Sequence, residues 1–220
     1  MEEFGMKAII FDMDGLMIDS ERLYRQVQYD IAHRFDRVLT EEIRRKMMGR
    51  KPIESIRFFV KELNIPEEPE KILEYRSNIM REKLKTDLAA MPGLNHIIDT
   101  FYNRLKLAIA TGAQKEFLDI VVDQLNIREK FHVLQHSDDI EKGKPDPEIY
   151  LKACSKLSLI PQDCIVLEDS LNGVLAGKSA GCFVIAVPSE YTRMEDFSPA
   201  GYVAADLAEA AHFIEKSFHP

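Results

Sequence analysis

The sequence predicts an α/β fold: a doubly wound parallel sheet with a Rossmannoid core, interrupted by an inserted α-helical cap domain. Three observations predict it. Short apolar runs alternate with helical patterns from about residue 105 to the C-terminal end. A charged, helically patterned stretch from about Ser20 to Leu88 separates the first apolar run from the rest. The 220 residues are enough for one good-sized core and a smaller accessory domain. The expected division is 1–17 with 88–220 as core and 18–87 as cap.

The elements follow in order. Lys7 to Phe11, K-A-I-I-F, is short, rich in Ile and ends at acidic residues and Gly15, as a buried parallel strand entering a loop would. In the insertion, Leu23, Val27 and Ile31 recur at helical spacing, and Thr40 stands before Glu41, Glu42 and Ile43 as a helix start. Gly49 and Pro52 mark a break before I-E-S-I-R-F-F-V-K-E-L. Pro66 and Pro69 mark another before P-E-K-I-L-E-Y-R-S-N-I-M-R-E-K-L. Met91-Pro92-Gly93 closes the insertion. Strands are then expected at 105–110, 131–135, 164–167 and 183–187, and helices at 116–125, 147–157, 172–180 and 206–216.

Composition narrows the function classes. The chain is 45% hydrophobic and 30% charged, which suits an ordered globular protein. Its net charge of −8 does not suit a nucleic-acid binder, and no basic stripe offsets it. Cys154, Cys164 and Cys182 form no C-x-x-C pair, and an odd count argues against a disulfide framework; buried thiols in a reducing compartment are expected. No apolar run approaches a membrane span, and the opening residues lack a signal-peptide pattern. The expectation is a cytoplasmic protein with no nucleic-acid or membrane partner, and a monomer by default.

In such sheets ligands bind at the carboxyl ends of the strands. Asp12 and Asp14 follow the first apolar run, Thr111-Gly112-Ala113 the second, and Glu168-Asp169 the fourth; Lys144 lies between the third strand and its helix. Residues i and i+2 of extended chain point to one side, so Asp12 and Asp14 can share a small site. Their mutual repulsion calls for a cation. Mg²⁺ is the expected cofactor, because it takes oxygen ligands in octahedral geometry. The six histidines lack metal-ligand spacing.

This arrangement resembles the four motifs of the haloacid dehalogenase superfamily. They are F-D-M-D-G at 11–15, A-I-A-T-G at 108–112, K-G-K-P-D-P at 142–147 and V-L-E-D-S-L-N-G at 166–173. The insertion is similar to the helical cap of the β-phosphoglucomutase-like branch, and F-D-M-D-G-L-M-I-D-S-E-R-L-Y is similar to the opening of pseudouridine-5′-phosphatase-like enzymes. The resemblance implies an Mg²⁺-dependent phosphatase acting on a small phosphate ester, a sugar or nucleoside monophosphate. Asp12 is then the nucleophile and Asp14 the general acid and base. Thr111, Gly112, Ala113 and Lys144 hold the phosphate. Asp12, the Asp14 carbonyl, Asp169 and, as a further candidate, Glu168 hold the metal.

In the cap, Gly49-Arg50-Lys51 has two readings: a substrate-contacting loop, with Arg50 and Lys51 as specificity residues, or a plain helix–helix turn. Arg44, Arg45 and Lys46 are expected to form one solvated helix face, and Met17, Met47 and Met48 to be packing residues. Cap motion implies hinges near Met17–Ser20 and Leu88–Gly93. The runner-up activity is a phosphomutase. Tyr24 falls where the mutase carries a histidine, and Lys51-Pro52 near where it carries an arginine. A receiver-like phosphoacceptor also uses clustered Asp, Thr and Lys, but it has no counterpart of Asp14 and no cap.

Overall fold

The computed structural model describes residues 5–47 and 52–218, so Met48, Gly49, Arg50 and Lys51 lie outside the described residues. The chain divides into two compact units, Met1–Asp19 with Leu88–Pro220, and Ser20–Asp87.

The larger unit is built on a six-stranded sheet. Its strands are β1 (Ala8–Phe11), β2 (Lys106–Ala110), β3 (Val133–Gln135), β4 (Cys164–Glu168), β5 (Phe183–Ala186) and β6 (Tyr202–Val203). The order is β3-β2-β1-β4-β5-β6, and every pairing is parallel. β1 is therefore central and buried on both faces, which explains its unbroken apolar run.

Strand alternation sorts the core. Ala8 and Ile10 of β1, Ala108 and Ala110 of β2, and Cys164 and Val166 of β4 belong to one apolar cluster. Two helices supply the rest of that face: α7 (Glu148–Leu157), through Ile149, Tyr150, Ala153 and Leu157, and α8 (Leu171–Ala180), through Val174 and Ala176. Ile9, Phe11, Leu107 and Ile109 have the opposite parity and are also fully buried. The three cysteines are free and buried; the Cys154 and Cys182 sulfurs lie 3.9 Å apart inside the α7–α8 layer.

Two elements of this unit have no counterpart among the sequence expectations. One is α5 (Leu94–Phe101), amphipathic through Leu94, Ile97, Ile98 and Phe101. The other is β6, which has only two residues. α6 (Lys115–Gln124) and α9 (Leu207–Phe218) fall within a residue or two of the expected helices.

The smaller unit holds four helices: α1 (Ser20–Arg34), α2 (Glu41–Met47), α3 (Pro52–Glu62) and α4 (Pro69–Thr86). Thr40 Oγ1 accepts from Ile43 N at 3.3 Å, so it closes the start of α2 as its sequence position suggested. Leu23, Val27 and Ile31 form the buried stripe of α1. The expectation of one solvated basic face is corrected at Arg44. Its guanidinium is buried and donates to Glu21 at 2.6 Å and to Glu41 at 3.1 Å, whereas Lys46 stays exposed beside Glu42. A buried guanidinium needs such partners to offset its lost hydration. Met17 and Met47 are buried. On the core side, the segments leading to and from this unit pair with each other: Met91 N donates to Met17 O at 2.9 Å, and Asp19 N to Ala89 O at 3.3 Å.

Candidate active site

The sheet register sets the site. Phe11 pairs with Ile109 on one side and Leu167 on the other. The next residues, Asp12, Ala110 and Glu168, therefore lie level at the carboxyl edge. They continue the parity of Ile10, Ala108 and Val166, so they face the layer that carries α7. Asp12 N donates to Leu167 O at 3.0 Å, which extends the ladder one residue beyond β1 and fixes the carboxylate.

Lys144 reaches this point from the loop before α7. Its ammonium donates to Asp12 Oδ1, to Glu168 Oε1 at 2.6 Å and to the Ala110 carbonyl at 3.3 Å. An ammonium has three N–H donors, and these three acceptors match them. Burial alone would lower the Lys144 pKa; Asp12 and Glu168 outweigh it and hold the ammonium above its ordinary value. Lys144 is thus charged at any working pH.

The acids are crowded. Burial raises the Asp12 pKa, Lys144 opposes that rise, and Glu168, Asp169 and Asp14 add to it. Asp169 is pushed up to about 8, by burial first and then by the charge of Glu168, against the pull of Lys144 and a hydrogen bond from Ser189. Oxygens of Asp12, Glu168 and Asp169 lie within 4.8 Å of one another. Three buried carboxylates this close are an oxygen donor set short of positive charge, and a small hard divalent cation fits it. Gly15 belongs to the same packing. Its φ is +81°, and a Cβ there would stand 2.2 Å from Asp169 Oδ2, so a side chain would displace the acid.

Asp14 and Thr111 meet across the same edge: Thr111 Oγ1 donates to Asp14 Oδ2 at 3.2 Å. Thr111 is fully buried, and its Oγ1 also accepts from Ala113 N at 3.0 Å. Gly112 lies in this turn, where a Cβ would meet nothing within 4 Å. Asp12, Asp14, Thr111, Lys144, Glu168 and Asp169 are thus gathered on one sheet edge. Arg50 and Lys51 fall outside the described residues. Lys142 and Lys115 are surface lysines, the latter 2.5 Å from Asp119.

Three residues at the site carry no expectation from sequence. Ser170, and not Glu168 or Asp169, caps α8: its Oγ accepts from Gly173 N at 3.2 Å. Ser170 also donates from N and Oγ to Glu168 Oε2, at 3.2 and 3.0 Å. Gly173 lets Glu168 lie against α8, since a Cβ there would fall 1.7 Å from Oε1. Tyr150 donates from its hydroxyl to Glu168 Oε1 at 2.6 Å, and its ring lies 4.9 Å from the Lys144 ammonium. A sequence signal for Ser170 and Gly173 lies in the S-x-x-G pattern at a helix start; Tyr150 has none.

A parallel sheet whose carboxyl edge gathers a hydroxyl, a lysine and a cluster of buried acids that could hold a metal is an arrangement suited to a class of hydrolases. The sequence profile of the family described as Haloacid dehalogenase-like hydrolase matches residues 9–187. The chain belongs to this family. It is 35% identical to the phosphorylated carbohydrates phosphatase of Thermotoga maritima over 80% of this chain and 82% of that protein. It is 33% identical to a probable pseudouridine-5′-phosphatase of Drosophila melanogaster over 91% and 89% of the two chains. Among solved structures, CbbY of Rhodobacter sphaeroides in complex with phosphate superposes with a TM-score of 0.82 at 27% identity, covering 93% of this chain and 96% of that one. The protein is an enzyme of the hydrolase class, and its named relatives include phosphatases. None of its helices, among the described residues, is long and apolar enough to cross a membrane.

Proposed function

We propose that this chain is an Mg²⁺-dependent phosphatase that hydrolyses small phosphorylated metabolites, sugar or nucleoside monophosphates, through an aspartyl phosphate on Asp12. One observation carries the proposal: the Lys144 ammonium is joined at once to Asp12 and Glu168, at the edge where Asp169 and Thr111 also converge.

The chemistry balances on these residues. An Asp12 carboxylate oxygen attacks phosphorus while the ester P–O bond breaks. Asp14 gives its proton to the departing alkoxide, so the first product is an alcohol. The Asp14 carboxylate then takes a proton from water as that water attacks the phosphorus of the acyl phosphate. The P–O bond to Asp12 breaks, and inorganic phosphate leaves. The Thr111 hydroxyl holds Asp14 for both transfers. Lys144 neutralises charge on Asp12 and on the incoming phosphate, and the N–H groups of Gly112 and Ala113 lie in the turn that would hold its oxygens. Asp12, the Asp14 carbonyl and Asp169 would hold Mg²⁺, which supplies two further positive charges beside the transferring group. Glu168 has donors on both oxygens, from Lys144, Tyr150 and Ser170, which supports a role as counter-ion to Lys144.

The relatives' names support the substrate class: one is named a phosphorylated carbohydrates phosphatase, another a probable pseudouridine-5′-phosphatase. Turnover of a panel of sugar and nucleoside monophosphates with Mg²⁺ tests it, with β-glucose 1-phosphate plus a bisphosphate primer included for the mutase alternative. Asp12→Asn should remove turnover of every ester, including a generic aryl phosphate. Retention of full aryl phosphatase activity in that variant would sink the nucleophile assignment.

A further inference from the structure

The proposed reaction leaves the buried hydroxyl of Tyr150 without a task. Tyr150 stands on α7, fully buried, with its hydroxyl aimed at the carboxyl edge of the sheet. Its hydroxyl donates to Glu168 Oε1, the same oxygen that accepts from Lys144. Both contacts are 2.6 Å. The face of its ring lies 4.9 Å from the same ammonium. Tyr150 therefore touches both partners of the ion pair beside the proposed nucleophile.

We propose that Tyr150 is a positioning residue for the phosphoryl transfer: by sharing Glu168 Oε1 and lying under the Lys144 ammonium, it keeps Lys144 aimed at Asp12 and the phosphate. This rests on the nucleophile reading of Asp12. Asp12 and Glu168 compete for one cation. All three Lys144 donors are in use, on Asp12, Glu168 and Ala110 O. To hold a phosphate oxygen as well, the ammonium must give up or share one acceptor. Glu168 is fully buried, and in such a setting an acceptor oxygen with no other donor would bind the ammonium tightly. The Tyr150 hydroxyl takes up part of that oxygen's accepting capacity. The two Ser170 donors do the same for Oε2 and fix the carboxylate plane. The ring adds a weak attraction that holds the ammonium over its face, between the two carboxylates. Removing the hydroxyl leaves Glu168 with a stronger claim on Lys144, and the ammonium shifts from Asp12 toward it.

The deciding variant is Tyr150→Phe, which keeps the ring and the core volume. It should lower kcat about 10- to 100-fold, the range expected for a hydrogen bond to a charged group, while KM changes less than about threefold. Inhibition by orthovanadate, which adopts the five-coordinate geometry of the transfer, should weaken in step with kcat. Inhibition by inorganic phosphate should change little. A loss of packing alone would move both inhibition constants together, or neither. The effect must also run through Glu168, so in a Glu168→Gln background Tyr150→Phe should cost less than about threefold. Thermal melting confirms that each variant is folded. If Tyr150→Phe proves unstable, Tyr150→His, which keeps a ring and a donor, should recover activity above any variant without a donor. A folded Tyr150→Phe enzyme with kcat within twofold of wild type overturns the proposal. So does a cost that is unchanged in the Glu168→Gln background. An active Asp12→Asn enzyme would instead refute the underlying nucleophile assignment, so the two failures are told apart.

Discussion

Lys144→Ala isolates the electrostatic part of the proposed reaction. A carboxylate nearing a phosphate dianion meets two like charges. At a separation of about 4 Å and an effective dielectric of about 20, each adds roughly 4 kcal/mol to the barrier. Lys144 brings one positive charge, directly bonded to Asp12. Offsetting one of the two repulsions is worth about 4 kcal/mol, or roughly three powers of ten in rate. The variant should therefore lose about a thousandfold in kcat, measured at saturating substrate and Mg²⁺. Stability changes too, and in a pH-dependent way. Lys144 lowers the pKa values of Asp12 and Asp169, which burial raises. Without it both rise further. An acid with a raised folded pKa contributes stability that is fully present below its unfolded pKa and is lost as pH rises through the folded one. Metal-free Lys144→Ala should thus melt well below wild type at pH 8 and much closer to it at pH 5. A folded variant with kcat within tenfold of wild type would refute the charge argument. So would a melting difference that shrinks toward pH 8.

The same linkage predicts the wild-type behaviour. With Asp169 raised from 3.8 to about 8, metal-free protein should lose stability as pH climbs between those values, by at most about 6 kcal/mol. Melting in EDTA at pH 5 and 8 checks this; a flat or rising profile contradicts it. Gly173→Ala places a Cβ 1.7 Å from Glu168 Oε1 and should cost about 1–3 kcal/mol and much of the activity. Gly143→Ala, where a Cβ meets nothing within 4 Å, should melt within about a degree of wild type. Arg44→Met removes a buried guanidinium from Glu21 and Glu41. Both acids are part-exposed and can rehydrate, so a loss of about 1–3 kcal/mol is expected in thermal melts. Its kcat should stay near that of wild type.

The sheet was legible because burial on both faces leaves a mark in a short window. Ile9 and Ile10 need no distant partner to be read as strand, and the polar residue after each run then marks the functional edge. α5 was harder. Its eight residues follow the Pro92-Gly93 turn directly, and L-N-H-I-I-D-T-F spans barely two helical turns. β6 has two residues and no periodicity to read. Arg44 was misread for a different reason. Three basic residues in a row look solvated, and what buries one of them is Glu21, twenty-three positions earlier on α1. Tyr150 shows the same limit at the site. A tyrosine on the apolar face of a helix is indistinguishable from core until the fold brings Glu168, eighteen positions on, against its hydroxyl. Local pattern reports the faces of elements, and long-range polar pairing has no local signature.

That limit bears on how the site is balanced. Asp12, Asp14, Glu168 and Asp169 stand about one ammonium, and burial raises Asp12 and Asp169 above their ordinary range. Burying acids this way opposes folding unless protons or a cation relieve them. The two reliefs compete for the same oxygens. At low pH the acids take protons, the fold is comfortable, and a divalent cation must displace those protons to bind. At high pH the acids are ionised, the metal-free fold is strained, and the same strain becomes affinity for the cation. Glu168 is the exception among the four. Lys144, Tyr150 and Ser170 already satisfy it, so the cation is needed chiefly by Asp12 and Asp169. Of those two, only Asp12 is bonded to Lys144. On the proposed reading, the nucleophile Asp12 is therefore the one of these two acids that both Lys144 and a bound cation would reach, whereas Asp169, pushed up to about 8, would depend on the cation.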